Sequence, residues 1–413
     1  LGKPCFLEAV SGVSLVDNIM ILIINIFAAL ATGGAVVAGQ YIGRKDEKSA
    51  CKAATQLVWF VSLSAVAIMI LVYFGKDIIL NQVFGHITAE VKGHADIYLL
   101  IVTASIPVIA LYNGGAAIFR AMGNSQVSMR VSLLMNAINV TGNAILVFGL
   151  RIGTAGVAIP TLISRMVAAI VITALLCNQT RILHIERTLK IRFDGRMIRK
   201  ILAIGVPNGL ENSMFQLGKI LVLSLVSTFG TYAIAANAVS NAIALFQILP
   251  GMAISLAITT VISQCVGAND YEQVRYYLKK LLAIIYVAMV GTVALIFLAL
   301  PLILKAYNLS DQTAAAATNI IHFHGISAMI KNRWPLSFAL PAAYRAAGDA
   351  KACMYTSIVS MWIFRIGFSY LVGKYMGLGV FGVWVAMVID WVVRAICFII
   401  RYFNGKWKHG AIV

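Results

Sequence analysis

The chain has 413 residues, 61% of them hydrophobic and 12% charged, with 33 Lys and Arg against 15 Asp and Glu for a net charge of +18. An average soluble domain carries roughly 25% charged residues, so most soluble folds are excluded; at a mean hydropathy of +0.89, lipid-like segments interrupt any continuous basic face and exclude a polynucleotide partner. A hydrocarbon core about 30 Å thick needs roughly 20 apolar residues per crossing helix, and this length and composition give an all-α polytopic membrane protein in a lipid bilayer.

Apolar stretches at 10–42, 53–82, 93–119, 128–150, 154–178, 200–229, 232–267, 280–305, 313–343, 351–374 and 377–401 predict eleven helices, with a kink at Pro250 inside the seventh. The breaks on one side of these helices hold 21 Lys and Arg, and those on the other hold only Lys76, Lys92, Arg151, Lys305 and Lys374. The positive-inside rule makes the basic side and the C-terminus cytoplasmic. Six scattered cysteines without a CxxC pair predict neither a disulfide framework nor a thiolate metal site.

An internal repeat runs through the chain. AVVAGQYIGRKDEK aligns with TTVISQCVGANDYE, pairing Gln40 with Gln264 and Asp46 with Asp270 at an offset of 224. FRAMGN aligns with YRAAGD, pairing Arg120 with Arg345 and Gly123 with Gly348. GTAGVAIPTLI aligns with GVFGVWVAMVI, pairing Gly153 with Gly379 and Gly156 with Gly382. Three matches in register predict two homologous lobes in a parallel pseudo-two-fold repeat. The lobes are 1–179 and 200–413, joined by a cytoplasmic connector at 180–199. The repeat partner of the helix at 200–229 falls before residue 1, so each complete lobe is expected to hold six helices, the first helix lying outside this sequence.

An ionisable group deep in a membrane helix is a functional candidate by default. Glu211, in GVPNGLENSMFQLGK, lies about 16 Å along the helix that starts near Lys200, where it can take up a coupling H⁺ or Na⁺ or instead sit in a static pair with Lys219 or among Asn212 and Gln216. Asn136, Asn139 and Asn143 share one helix face, either as a polar site or as interhelical hydrogen bonds. Asp17 either lines an outward cavity or snorkels. Arg365 and Asp390, with Arg394 one turn on, are expected to form a structural ion pair between neighbouring helices. Lys331 and Arg333 precede Trp334 and Pro335 as an anion or substrate gate, or as a short loop. His322 and His324 point to opposite helix faces and make no metal pair, and no HExxH, P-loop or nucleophile elbow is present, so neither a metal centre, a cofactor nor an enzyme is expected.

The segments GGAVVAGQYIGRKDEKSACKAATQ, GVPNGLENSMFQLGK, WPLSFALPAAYRAAGDAK and MWIFRIGFSYLVGKYMGLGVFGVWVAMVIDWVVR resemble the multidrug and toxic compound extrusion (MATE) family over essentially the whole chain. The resemblance implies two six-helix lobes that alternate between inward-open and outward-open states and export organic cations against H⁺ or Na⁺. One branch of that family builds a cation site in the N-terminal lobe. Its matching positions here are Asn113, Asn139, Asn143 and Thr161, with Asn143 where that branch has Asp. Another branch pairs a helix-seven Glu with a helix-ten Asp; Glu211 is on that helix one turn earlier, and helix ten has no matching carboxylate.

These readings give a monomeric antiporter of the plasma membrane that exports lipophilic organic cations. Glu211, Asn113, Asn139, Asn143 and Thr161 are its coupling candidates, and Asp17, Asn136 and Gln216 its cavity candidates. A lipid-linked precursor flippase, favoured by the cations Lys331, Arg333, Arg365 and Arg394, and a non-transporting membrane scaffold are the alternatives.

Overall fold

The computed structural model describes residues 3–83, 88–185, 193–330 and 334–412, and these are helices and the turns between them, with no strand among the described residues. Eight helices are long and apolar enough to cross a membrane, or nine when the bent pair α4 and α5 is taken as one span. In chain order the α-helices begin with α1 (Lys3–Gly43), α2 (Glu47–Phe74), the short α3 (Lys76–Ile78), α4 (Ala89–Thr103), α5 (Ile106–Ala121), α6 (Ser125–Asn143) and α7 (Ala155–Leu176). They continue with α8 (Gly195–Ser227), α9 (Thr231–Gly267), α10 (Tyr271–Tyr307), α11 (Asp311–Met329), α12 (Leu340–Ala346), α13 (Ala350–Ser360) and α14 (Gly379–Phe403).

Three of the eleven expected spans, 93–119, 200–229 and 313–343, differ from that pattern. The stretch 93–119 bends by 47° at Ala104–Ser105, because Pro107 has no N–H to give the Thr103 carbonyl and its ring crowds that turn. The stretch 313–343 divides into α11 and, after a π-helical turn at Pro335–Ala339, α12, and two prolines, Pro335 and Pro341, stand where one helix was expected. α8 and α11 are outside the apolar set because Asn208, Glu211, Gln216 and Lys219, and Asp311, Asn319, His322 and His324, interrupt them. α9 runs unbroken past Pro250.

The chain divides into two compact units, Leu1–Gly209 and Leu210–Val413, and the division falls within α8. In the first unit α1 packs on α2, α4 and α5, and α7 packs on α4, α5 and α6. In the second, α9 packs on α10, α11 and α12, while α14 lies along α11, α13 and the π-helical segments Met361–Gly367 and Ser369–Tyr375.

The sequence repeat is a repeat of backbone conformation. Asp46 caps α2 by accepting the Ser49 N–H at 3.1 Å, and Asp270 caps α10 by accepting the Gln273 N–H at 3.0 Å. Left-handed residues occur at the same register: Lys45 (φ 61°) with Asn269 (φ 56°), Gly123 (φ 80°) with Gly348 (φ 92°), and Gly153 (φ 73°) with Gly379 (φ 57°). A Cβ on Gly156 would stand 3.2 Å from the Leu146 carbonyl oxygen, and one on Gly382 would stand 2.8 Å from that of Val372, 226 residues further along in each case. Each unit therefore turns its chain at the same points by the same device.

Candidate functional site

The second unit holds a buried polar network on α8, α12, α13 and α14. Glu211 enters it from α8, one turn after Pro207, with its side chain 11% exposed. Arg345 Nη1 donates to Glu211 Oε2 at 3.2 Å, and Arg394 Nη2 lies 3.6 Å from Glu211 Oε1. Arg394 Nη2 also donates to Ser357 Oγ at 2.8 Å, and its Nη1 stands 4.0 Å from Asp390 Oδ2 on the preceding turn. Asp390 is fully buried, and its Oδ1 accepts the Ser360 hydroxyl at 2.5 Å. Buried charges in a low-dielectric interior persist only with partners, and this chain of contacts supplies them for both carboxylates. Asp390 Oδ2 and the Arg394 Nε and Nη1 atoms are buried without a hydrogen-bond partner.

The Glu211 contacts correct the sequence reading. Neither Lys219, Asn212 nor Gln216 is its partner; Arg345, which the sequence repeat pairs with Arg120, is. Asp390 and Arg394 stand at the ion-pair limit, whereas Arg365 makes no ion pair within 4.0 Å among the described residues. Its guanidinium lies 5.0 Å from the centroid of the Phe215 ring. The reason is supply: the network has two carboxylates, and Arg345, Arg394 and Ser360 occupy them. Lys331 and Arg333 lie outside the described residues.

An aromatic wall adjoins the network. Arg394 lies over Phe338 at 4.6 Å, Phe338 stacks on Trp334 at 5.2 Å and meets Phe215 and Trp391 edge-on. Beyond Trp391, the buried His324 is bonded through Nδ1 to Gln247 Oε1 and packs against Trp384 and Trp391. His322 instead packs on Phe297, so the two histidines do diverge. No group of three potential metal ligands occurs among the described residues.

In the first unit, Asn139 Nδ2 donates to Thr161 Oγ1 at 3.0 Å and Asn143 Nδ2 donates to Asn139 Oδ1 at 3.1 Å, joining three of the four predicted N-terminal positions across α6 and α7. Asn113, on α5, is not hydrogen-bonded to them; its Nδ2 and the Asn143 Oδ1 are buried polar atoms without a partner. Asn136 is exposed and takes no part in that chain, because Asn139 commits its amide to Thr161 and Asn143.

Asp17 accepts the Tyr98 hydroxyl at 2.8 Å, and Arg165 donates to Ser105 Oγ at 2.7 Å while acting electrostatically on both Asp17 and Tyr98. Arg165 was missing from the sequence-level candidates. Its signal was the one used for Glu211, a charge within an apolar helix, α7.

Outside the helical spans, Asp194 is held below the usual carboxylate range by the Lys52 ammonium and by the Met197 and Arg196 N–H groups. These contacts tie the segment before α8 to α2 within the first unit.

The chain is 26% identical to an uncharacterized transporter, YisQ, of Bacillus subtilis over 97% of its length and 88% of that protein. It is 22% identical to a probable multidrug resistance protein, NorM, of Thermotoga maritima, covering 98% of this chain and 87% of that one. Among solved structures, an outward-facing multidrug resistance MATE family transporter of the MOP superfamily superposes with a TM-score of 0.89 at 22% identity, over 96% of this chain and 88% of that one. A MOP superfamily transporter from Pyrococcus furiosus, described as having a binding pocket of reverse polarity, superposes with a TM-score of 0.88 at 22% identity over the same shares. The MatE family model matches residues 7–145 and 207–371, and with the repeated helical fold this makes the chain a multi-pass membrane transporter of the MatE family.

Proposed function

We propose that this transporter is an antiporter that exports lipophilic organic cations against a gradient of H⁺ or Na⁺ by alternating access, as a monomer in the plasma membrane with its C-terminus in the cytoplasm. The observation that carries the reading is Glu211, a carboxylate with its side chain 11% exposed between Arg345 and Arg394. A rocking cycle needs the coupling ion to bind its two states with different affinity. A cation arriving at Glu211 competes with both guanidinium groups for the same two oxygens, so occupancy of the carboxylate and the packing of α8 against α12 and α14 are linked. The Asn139, Asn143 and Thr161 chain with the unpartnered Asn113 amide gives the first unit an oxygen-bearing polar site with unmet hydrogen-bonding capacity, and we assign it a supporting part in ion coupling. Asp17, Asn136 and Gln216 are assigned to the substrate path.

The test is efflux of a fluorescent lipophilic cation from cells expressing the protein, with wild type and Glu211→Gln compared under imposed H⁺ and Na⁺ gradients. Loss of gradient-driven efflux at unchanged expression supports Glu211 as the coupling group. Full efflux by the variant transfers coupling to the Asn139 and Asn143 site, and absence of efflux from wild type overturns the exporter reading in favour of a flippase or scaffold.

A further inference from the structure

The polar network of the second unit carries more positive than negative charge. Among the described residues, the carboxylates near Lys219, Arg345, Arg365 and Arg394 are Glu211 and Asp390. Both carboxylates are engaged by Arg345, Arg394 and Ser360. Two cations are left over, and they share one ring: Lys219 Nζ lies 5.2 Å and the Arg365 guanidinium 5.0 Å from the centroid of Phe215. Among the described residues neither has a carboxylate within 4.0 Å. Asp390 acts on Arg365 only from a longer range, and Lys219 and Arg365 repel each other.

Both groups lie well inside their helices. Lys219 stands eight residues before the end of α8 at Ser227, about 12 Å at 1.5 Å per residue. Arg365 is near the middle of the span Ala350–Tyr375. It is carried by the π-helical segment Met361–Gly367, a local widening of the kind that recurs at functional sites. A ring quadrupole offsets part of the cost of one desolvated cation, but two cations on one ring are a like-charge pair that lacks a counter-ion. Arg365 is half-buried and Lys219 exposed, so a ligand can reach the pair. Phe215, the half-buried ring that both cations share, gives the site an apolar surface for the body of an amphiphile.

We infer that Lys219 and Arg365 form a binding site for the anionic head, phosphate or carboxylate, of an amphiphile whose apolar part lies against Phe215. The site stands apart from the coupling assigned to Glu211, and its test uses no ion gradient. Equilibrium dialysis of the purified protein in phosphatidylcholine nanodiscs compares dodecyl phosphate, dodecanoate and dodecyltrimethylammonium. The two anions bind at least about tenfold more tightly than the ammonium. Lys219→Gln and Arg365→Gln each weaken the anions about tenfold to a hundredfold, the range for a hydrogen bond to a charged group. Both variants leave the ammonium unchanged, and Arg365→Lys retains most of the anion binding. Tighter binding of dodecyl phosphate assigns a phosphate head, and equal or tighter binding of dodecanoate assigns a carboxylate; either upholds the site. Ammonium binding equal to the anions, or anion binding that survives both Gln substitutions, overturns it. Lys219 is exposed, so Lys219→Gln alone decides the matter if Arg365→Gln fails to fold.

Discussion

Arg345 and Glu211 are 134 residues apart in the chain and meet at 3.2 Å, so the carboxylate of α8 is fixed by a guanidinium from α12. Removing the acid strands two cations, Arg345 and Arg394, in a buried site, and breaking a buried pair from one side costs about 3–5 kcal/mol. Glu211→Ala is expected to lower stability by about that amount in thermal unfolding of the purified protein. Combining it with Arg345→Met is expected to recover part of the loss. An additive double variant would mean that the pair is not energetically coupled.

The repeat predicts a contrast between two glycines at the same register. Gly123 (φ 80°) faces open space, whereas a Cβ on Gly348 (φ 92°) would meet the Gly410 carbonyl oxygen at 1.8 Å. Gly123→Ala carries the left-handed backbone cost alone, about 1–2 kcal/mol. Gly348→Ala carries that cost and must also displace the C-terminal segment, so its loss is the larger. Equal losses in the melting temperatures of the two variants would contradict this assignment.

Trp407 anchors that same segment. It is 2% exposed, stacks on Tyr402 at 5.8 Å and contacts Tyr344 and Tyr271, while Arg401 grips Asp349 with two hydrogen bonds. Trp407→Ala is expected to cost about 3–5 kcal/mol and to make residues 404–412 cleavable in limited proteolysis. Resistance of this segment in the variant would place its anchorage elsewhere.

Asp194 supplies a pH dependence. Its folded-state pKa is depressed by Lys52 and two N–H groups, so its contribution is present above the ordinary carboxylate value of about 3.9 and disappears as pH falls through the lower folded value. Wild type is expected to melt above Asp194→Asn at neutral pH, and the two curves are expected to converge in acid. A gap that persists below both pKa values would assign the difference to packing.

In the first unit, Asn139 makes two side-chain hydrogen bonds and Asn136 makes none among those of the described residues. Asn139→Ala is expected to lower transport and Asn136→Ala to leave it unchanged at equal expression. The reverse order in a vesicle uptake assay would remove the amide chain from the coupling site.

Composition and periodicity were sufficient for the membrane class, because a bilayer imposes one requirement, about 20 apolar residues per helix, that can be counted along the chain. The repeat was legible for a similar reason. Gly123, Gly348, Gly153 and Gly379 meet backbone demands that few other residues satisfy, so the turns left a mark in the sequence that the fold then reproduced. Glu211 was legible as a charge out of place, and by the same rule so was Arg165. What the tertiary structure decided was which charge met which. Arg345 stood out only as the repeat partner of Arg120, and Arg365 as the partner of Asp390; only the folded contacts give Glu211 to Arg345 and Arg394 and leave Arg365 beside Lys219. Sequence spacing fixes which residues share a helix face, whereas an ion pair between helices depends on their azimuth and depth, which many weak contacts set together.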